Sequence, residues 1–156
     1  TKEQVTASNT SIITEDTSNN NHGLFKGAIT RTAGIKTFAL FAELEDTDHP
    51  YATFQIFDGS FAGFATGTFD LVNKTMYFTT ATNGFTAASG TVTPIPNTSR
   101  LRCRLEFATD GTSTNFNLII RPQLTTAGTS YQGVATRKSK ISNIWLFNKN
   151  AGAGGS

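Results

Sequence analysis

No run of about twenty consecutive apolar residues occurs in this sequence, so it lacks the length of apolar chain that a membrane-spanning helix needs. One cysteine, Cys103, excludes an intrachain disulfide, and stability must come from packing or oligomerisation. Charged residues are 15% of the chain and the net charge is +2, too little for a nucleic-acid or anionic-membrane surface. The interleaved basic and aromatic residues that nucleic-acid binding wants are missing as well. No basic-then-apolar signal segment opens the chain. It starts on Thr1 rather than Met, so a processed, excised or renumbered chain is expected. Ala, Leu, Glu and Lys do not recur in helical register, which leaves helix without support.

What fills the chain is Thr, Ser, Asn and Gly, with Thr roughly a sixth of all residues, a β-branched side chain suited to half-exposed strand faces. Thirteen Phe against one Trp and one Met predict a Phe-dominated core. The length of 156 residues fits one domain with a substantial interior.

Strand signals recur at short intervals: Leu24 to Thr30, Lys36 to Leu44, Tyr51 to Phe57, Thr68 to Val72, Thr75 to Thr80, Arg100 to Phe107, Asn115 to Arg121 and Lys140 to Asn148. The cleanest alternation turns Leu101, Cys103, Leu105 and Phe107 inward and Arg100, Arg102, Arg104 and Glu106 outward. Asp58-Gly59 and Asp110-Gly111 supply turns, and Asn73-Lys74 reads as a tight hairpin. Phe61 to Gly67 and Asn83 to Gly90 read as loops. Eight to ten short antiparallel strands without helical spacers predict an all-β sandwich or jelly roll. Residues 1–22 are expected to form an N-terminal arm or edge strand, 23–149 the sandwich, and 150–156 a flexible Gly-rich tail or linker.

From about Thr37 to Asn148 the chain resembles the carbohydrate-binding-module-like jelly roll of bacteriophage tail-fibre and other virion surface proteins. The resemblance is carried in order by Thr37-Phe38-Ala39-Leu40-Phe41-Ala42, Ile56-Phe57-Asp58-Gly59, Phe69-Asp70-Leu71-Val72-Asn73, Leu101-Arg102-Cys103-Arg104 and Ile144-Trp145-Leu146. It departs at Arg100-Leu101, where an aromatic pair is usual, and at Phe147-Asn148-Lys149 after the Trp. The resemblance implies a non-catalytic fibre or receptor-binding tip on a virion surface, assembled as a homotrimer with other virion proteins and contacting a cell-surface glycan. The alternatives are a head-decoration, cement or coat-type protein that acts through subunit assembly, and a binding module of a glycan-degrading enzyme.

Glycan sites present flat rings to the apolar face of a pyranose, and the candidates here are Tyr51, Tyr77, Tyr131 and Trp145, of which Tyr51 and Tyr131 are the likelier to be exposed. A Trp on the closing strand of such a sandwich is more often core. Arg100, Arg102 and Arg104 share one strand face about 7 Å apart, and subunit packing or an anionic partner would use them. Phe61, Phe64 and Phe85 place large apolar groups among turn residues, which hints at an interface.

Glu43, Glu45, Asp46, Asp48 and His49 form the densest ionisable cluster. A glycosidase would need two facing carboxylates about 5 to 9 Å apart, whereas a solvated turn explains them more simply, so no catalytic residue is expected. Asp46 and Asp48 match no known calcium loop spacing, and His22 and His49 sit in separate loops. Neither a metal nor a cofactor is expected.

Overall fold

The period-two alternation resolves into two antiparallel sheets in the computed structural model, which describes residues 2–4, 11–30, 34, 36–128 and 130–149. The described residues hold thirteen strands and no α-helix. The first sheet runs β1 (Lys2–Gln4), β13 (Lys138–Asn148), β5 (Thr37–Glu45), β10 (Leu101–Thr109), β9 (Phe85–Pro94), with β2 (Ser11–Thr14) also paired to β13. The second runs β4 (Leu24–Thr30), β11 (Asn115–Gln123), β6 (Tyr51–Asp58), β7 (Phe64–Asp70), β8 (Thr75–Thr82). A two-stranded ribbon joins β3 (Asn19–Asn21) to β12 (Ser130–Gln132). The expected tail over 150–156 lies outside the described residues.

The two sheets bury their facing sides against each other, which makes the fold an all-β antiparallel sandwich. The first sheet contributes Phe38, Leu40, Leu44, Leu105 and Phe107; the second contributes Phe54, Ile56, Phe69, Phe116 and Leu118. Phe116 meets Phe38 edge-on at 5.2 Å and Phe107 at 5.9 Å, so one ring of the second sheet is gripped by two of the first. Cys103 is fully buried, and desolvation pushes its thiol far above the usual range, as expected of a small apolar filler. On β7 the inward positions Ala65 and Gly67 are small for a reason. A Cβ on Gly67 would sit 2.8 Å from Leu105 Cδ1 of the opposite sheet.

Parts of two expected loops, 64–67 and 85–90, are strand. Phe64–Asp70 is β7, central enough to pair with both β6 and β8. Its Ala and Gly residues, read as loop signals, are the small side chains that a close sheet-to-sheet approach requires. Phe85–Pro94 is β9, an edge strand held by β10. Its run of small residues has no apolar alternation of its own, and the pairing decides the conformation. Phe85 is therefore core, packed on Phe107 and Phe116, and not an interface residue. The Asn73-Lys74 hairpin is a wider turn, Leu71 to Lys74, in which the Asp70 carboxylate accepts the N–H groups of Val72 and Asn73.

Trp145 is not core. A bulge at Asn143 (φ 51°) lets Ile141 and Ile144 both point inward, and this shift in parity turns Trp145 to the outer face opposite Phe41.

Replacing Phe116 with Ala is expected to destabilise the domain by about 3–5 kcal/mol, the cost of removing a fully buried ring that touches both sheets. A urea-unfolding midpoint measures it.

Candidate functional site: the outer face of the five-stranded sheet

Because Ala52, Phe54 and Ile56 of β6 face the core, Tyr51, Thr53, Gln55 and Phe57 must face out. Cross-strand register then fixes their neighbours. Phe57 lies beside Phe64 of β7; Gln55 lies between Ile119 of β11 and Thr66; Thr53 lies between Arg121 and Thr68; Tyr51 lies between Gln123 and Asp70. Phe25 of β4 stands beside Ile119, and Thr80 and Phe78 of β8 stand beside Thr66 and Thr68. One face of one sheet thus gathers residues from five separate strands.

Aromatic rings occupy its two ends. At one, Phe57 meets Phe64 at 5.6 Å and Phe61 at 5.3 Å, and Phe61 in turn stacks on Phe25 at 6.4 Å. At the other, Tyr51 meets Tyr77 at 6.1 Å, with Phe78 next along β8. Phe25, Phe61, Tyr77 and Phe78 are each at least half exposed. A β-bulge on β8, where Tyr77 is the extra residue opposite the Thr68–Phe69 step of β7, is what brings Tyr77 onto this face. From Tyr51 to Phe57 the face runs roughly 20 Å at the strand rise.

Between the aromatic ends lies a polar floor. Thr53, Thr66 and Thr68 point out of the sheet, yet are only 4%, 8% and 8% exposed, since larger side chains stand around them. Thr53 Oγ1 is 2.8 Å from Thr68 Oγ1 and also donates to Gln123 Oε1. Thr66 Oγ1 is buried without a hydrogen-bond partner. Arg121 Nη1 donates to Gln55 Oε1 at 2.6 Å, and burial holds the guanidinium below the usual arginine pKa. Asn117 is engaged structurally: its amide accepts the Ala28 N–H and donates to the Asp58 carbonyl, pinning the β4 bulge.

The structure separates the residues singled out from the sequence. Tyr51, Tyr77, Phe61 and Phe64 lie on this face, the two tyrosines at one end and the two phenylalanines at the other. Trp145 and the arginine stripe lie on the outer side of the other sheet. There Arg100 and Arg102 both reach Glu43, at 2.8 and 3.3 Å, and Arg104 reaches Glu106 while lying 5.1 Å over the Phe41 ring. Each arginine of the stripe is paired with a carboxylate of its own chain, Arg100 and Arg102 sharing one. Tyr131 is half-buried beside His22 and His49, its hydroxyl donating to the Pro122 carbonyl at 3.3 Å.

The acidic cluster is divided as well. Glu43 and Glu45 bind cations on the outer face of β5, whereas Asp46 and His49 belong to a buried network that also includes Glu15 and Ser139. His49 Nδ1 is 2.9 Å from Asp46 Oδ2 and its Nε2 is 2.5 Å from Glu15 Oε1. Ser139 Oγ donates to Asp46, and Glu15 also accepts the Val134 N–H and an Arg137 guanidinium N–H. The members look like parts of a hydrolytic triad, but both imidazole nitrogens face carboxylates. Neither is placed to take a proton from Ser139. Asp48 accepts the Lys138 N–H at 2.8 Å. The network ties Glu15, just after β2, to the β5–β6 turn and to the segment leading into β13. Glu15 is far from this turn in sequence, and composition gives no sign of the link.

No protein-family model matches the chain, and no curated protein matches it in sequence.

Burial alone would lower the His49 pKa, but hydrogen bonds and charge from Asp46 and Glu15 outweigh it and hold it above the ordinary 6.5. Burial likewise pushes Glu15 up, and hydrogen bonds from His49, Val134 and Tyr131 bring it below 4.5. His49 therefore contributes stability fully below 6.5, lost as pH rises through its folded pKa. Glu15 contributes fully above 4.5, lost as pH falls through its own. Thermal unfolding across pH should show the network at full strength between these limits, and His49→Gln should flatten the alkaline limb and cost about 3 kcal/mol.

Proposed function

We propose that this domain is a non-catalytic binding module that holds an oligosaccharide along the outer face of its five-stranded sheet. The observation that carries the reading is the pairing of aromatic ends with a recessed hydroxyl and amide floor. Sugar rings present an apolar C–H face and a rim of hydroxyls. Tyr51, Tyr77 and the Phe57–Phe61–Phe64 group supply surfaces for the first, while Gln55, Thr80 and Arg121 supply donors and acceptors for the second. A face roughly 20 Å long at the strand rise suits an extended chain of several sugars. The non-catalytic reading is supported by the separate engagement of the carboxylates at Glu43, Glu45, Asp46 and Asp48, which do not converge on one bond. A phage virion surface, as a fibre or receptor-binding tip, is the setting that fits the resemblance over residues 37–148. Trimeric display there would add avidity to a modest single site.

A second reading, a decoration or coat-type subunit, is favoured by the all-Phe end of the face. Phe25, Phe57, Phe61 and Phe64 carry no polar handle and would suit burial against another chain.

Phe61→Ala and Tyr77→Ala remove half-exposed rings at opposite ends of the site and should leave the fold intact. Each is expected to weaken retention on a glycan array about fivefold to tenfold, the worth of one aromatic contact. If the substitutions instead change the mass measured by light scattering while no glycan is retained, the assembly reading takes its place.

A further inference from the structure

Arg121 stands apart from the other described arginines. Arg100 and Arg102 reach Glu43, Arg104 reaches Glu106, and Arg137 reaches Glu15. Arg121 reaches no carboxylate among the described residues; its hydrogen-bond partner is the neutral Gln55. A guanidinium carries five N–H donors in a planar fork, and this one spends a single donor. Partly burying a cation without an opposite charge is costly, and proteins ordinarily avoid it where no partner is to arrive.

Its position gives this cost a use. Arg121 lies opposite Thr53, which is two residues from Tyr51 and four from Phe57, so its head group stands between the aromatic ends. The carboxylates on the same sheet, Asp58 and Asp70, are at strand ends and folded onto their own turns, where they accept the N–H groups of residues 60, 62 and 63 and of 72 and 73. The stem is held as well. A Cβ on Gly23 would lie 3.1 Å from Arg121 Cγ and 2.7 Å from the Ile120 carbonyl, so the chain ahead of β4 approaches closely only as glycine. Gln55 then fixes one edge of the fork and leaves the rest for a ligand. Beside Gln55 lies Thr66, whose buried hydroxyl lacks a partner and offers the amide a second place to bond when the ligand arrives.

We infer that this face selects an acidic oligosaccharide, with Arg121 receiving a carboxylate or sulfate carried on a sugar ring that lies between the two aromatic ends. The inference rests on the glycan-binding reading above and adds to it the charge of the ligand. A carboxylate or a sulfate offers two oxygens spaced to meet the guanidinium fork with two parallel hydrogen bonds, which a lysine could not reproduce.

The test uses an array of sialylated, uronate-bearing and sulfated oligosaccharides, each beside its desialylated, carboxyl-reduced or desulfated counterpart. The full chain and its Arg121→Gln and Arg121→Lys variants are applied, with folding of each variant checked by thermal melting. The wild-type chain is expected to retain at least one acidic class about tenfold more strongly than its neutral counterpart at low salt, the scale of a charge-assisted pair. Added salt should narrow that preference, a readout that needs no variant. Arg121→Gln should remove the preference, so that acidic members are retained no better than their neutral counterparts, and Arg121→Lys should keep only part of it. Which acidic class is retained distinguishes carboxylate from sulfate. Equal retention of acidic and neutral members by the wild-type chain overturns the inference and leaves the glycan reading standing, as does a preference that survives in Arg121→Gln. Retention of neither overturns both.

Discussion

Burial of the inner side of β6, β7 and β11 against β5 and β10 determines what the outer side presents. Side chains alternate along a strand, so once Ala52, Phe54 and Ile56 are committed to the core, Tyr51, Thr53, Gln55 and Phe57 have nowhere to point but out. The same holds for Phe116, Leu118 and Ile120, which oblige Arg121 to face solvent beside Thr53. A slip of one residue in any of these pairings would bury Arg121 and Gln55 and expose Phe54 or Leu118. The hydrophobic cost of that exchange is what holds the candidate site together.

Much of this was legible in the residues. Alternation around Phe54, Leu105 and Leu118 located the strands and their inward sides, and the scarcity of helical patterning fixed the class. The five-stranded face itself was less visible, because nothing local to Arg121 or Tyr77 says that they lie on one surface. That follows from strand order, and strand order is a property of the whole chain. Bulges were beyond reach for a related reason. The left-handed backbone at Ala28 and Asn143 is imposed by long-range pairing, and the second of these reverses the side on which Trp145 falls. Small-residue strands such as β7 and β9 looked like loops, since their sequences are shaped by what packs against them.

The two sheets use charge differently. On the outer side of the six-stranded sheet, Arg100 and Arg102 share Glu43 while Arg104 and Lys149 share Glu106, so each of these cations has a carboxylate partner within the chain. On the five-stranded sheet the carboxylates stay at the strand ends and the central guanidinium keeps most of its donors. The buried Glu15–His49–Asp46 network belongs to neither surface. It fastens the segment after β2 to the start of β13 and to the β5–β6 turn, two residues ahead of Tyr51.

The central claim is that ligand meets the protein on the outer face of the five-stranded sheet. Amide chemical-shift mapping during titration with an oligosaccharide retained on the array tests it most directly. The account predicts that the largest shifts fall on Gln55, Thr66, Thr80, Ile119 and Arg121, with β9 and β10 unmoved. Shifts centred on Arg102, Arg104 and Trp145 would contradict it and place binding on the opposite sheet.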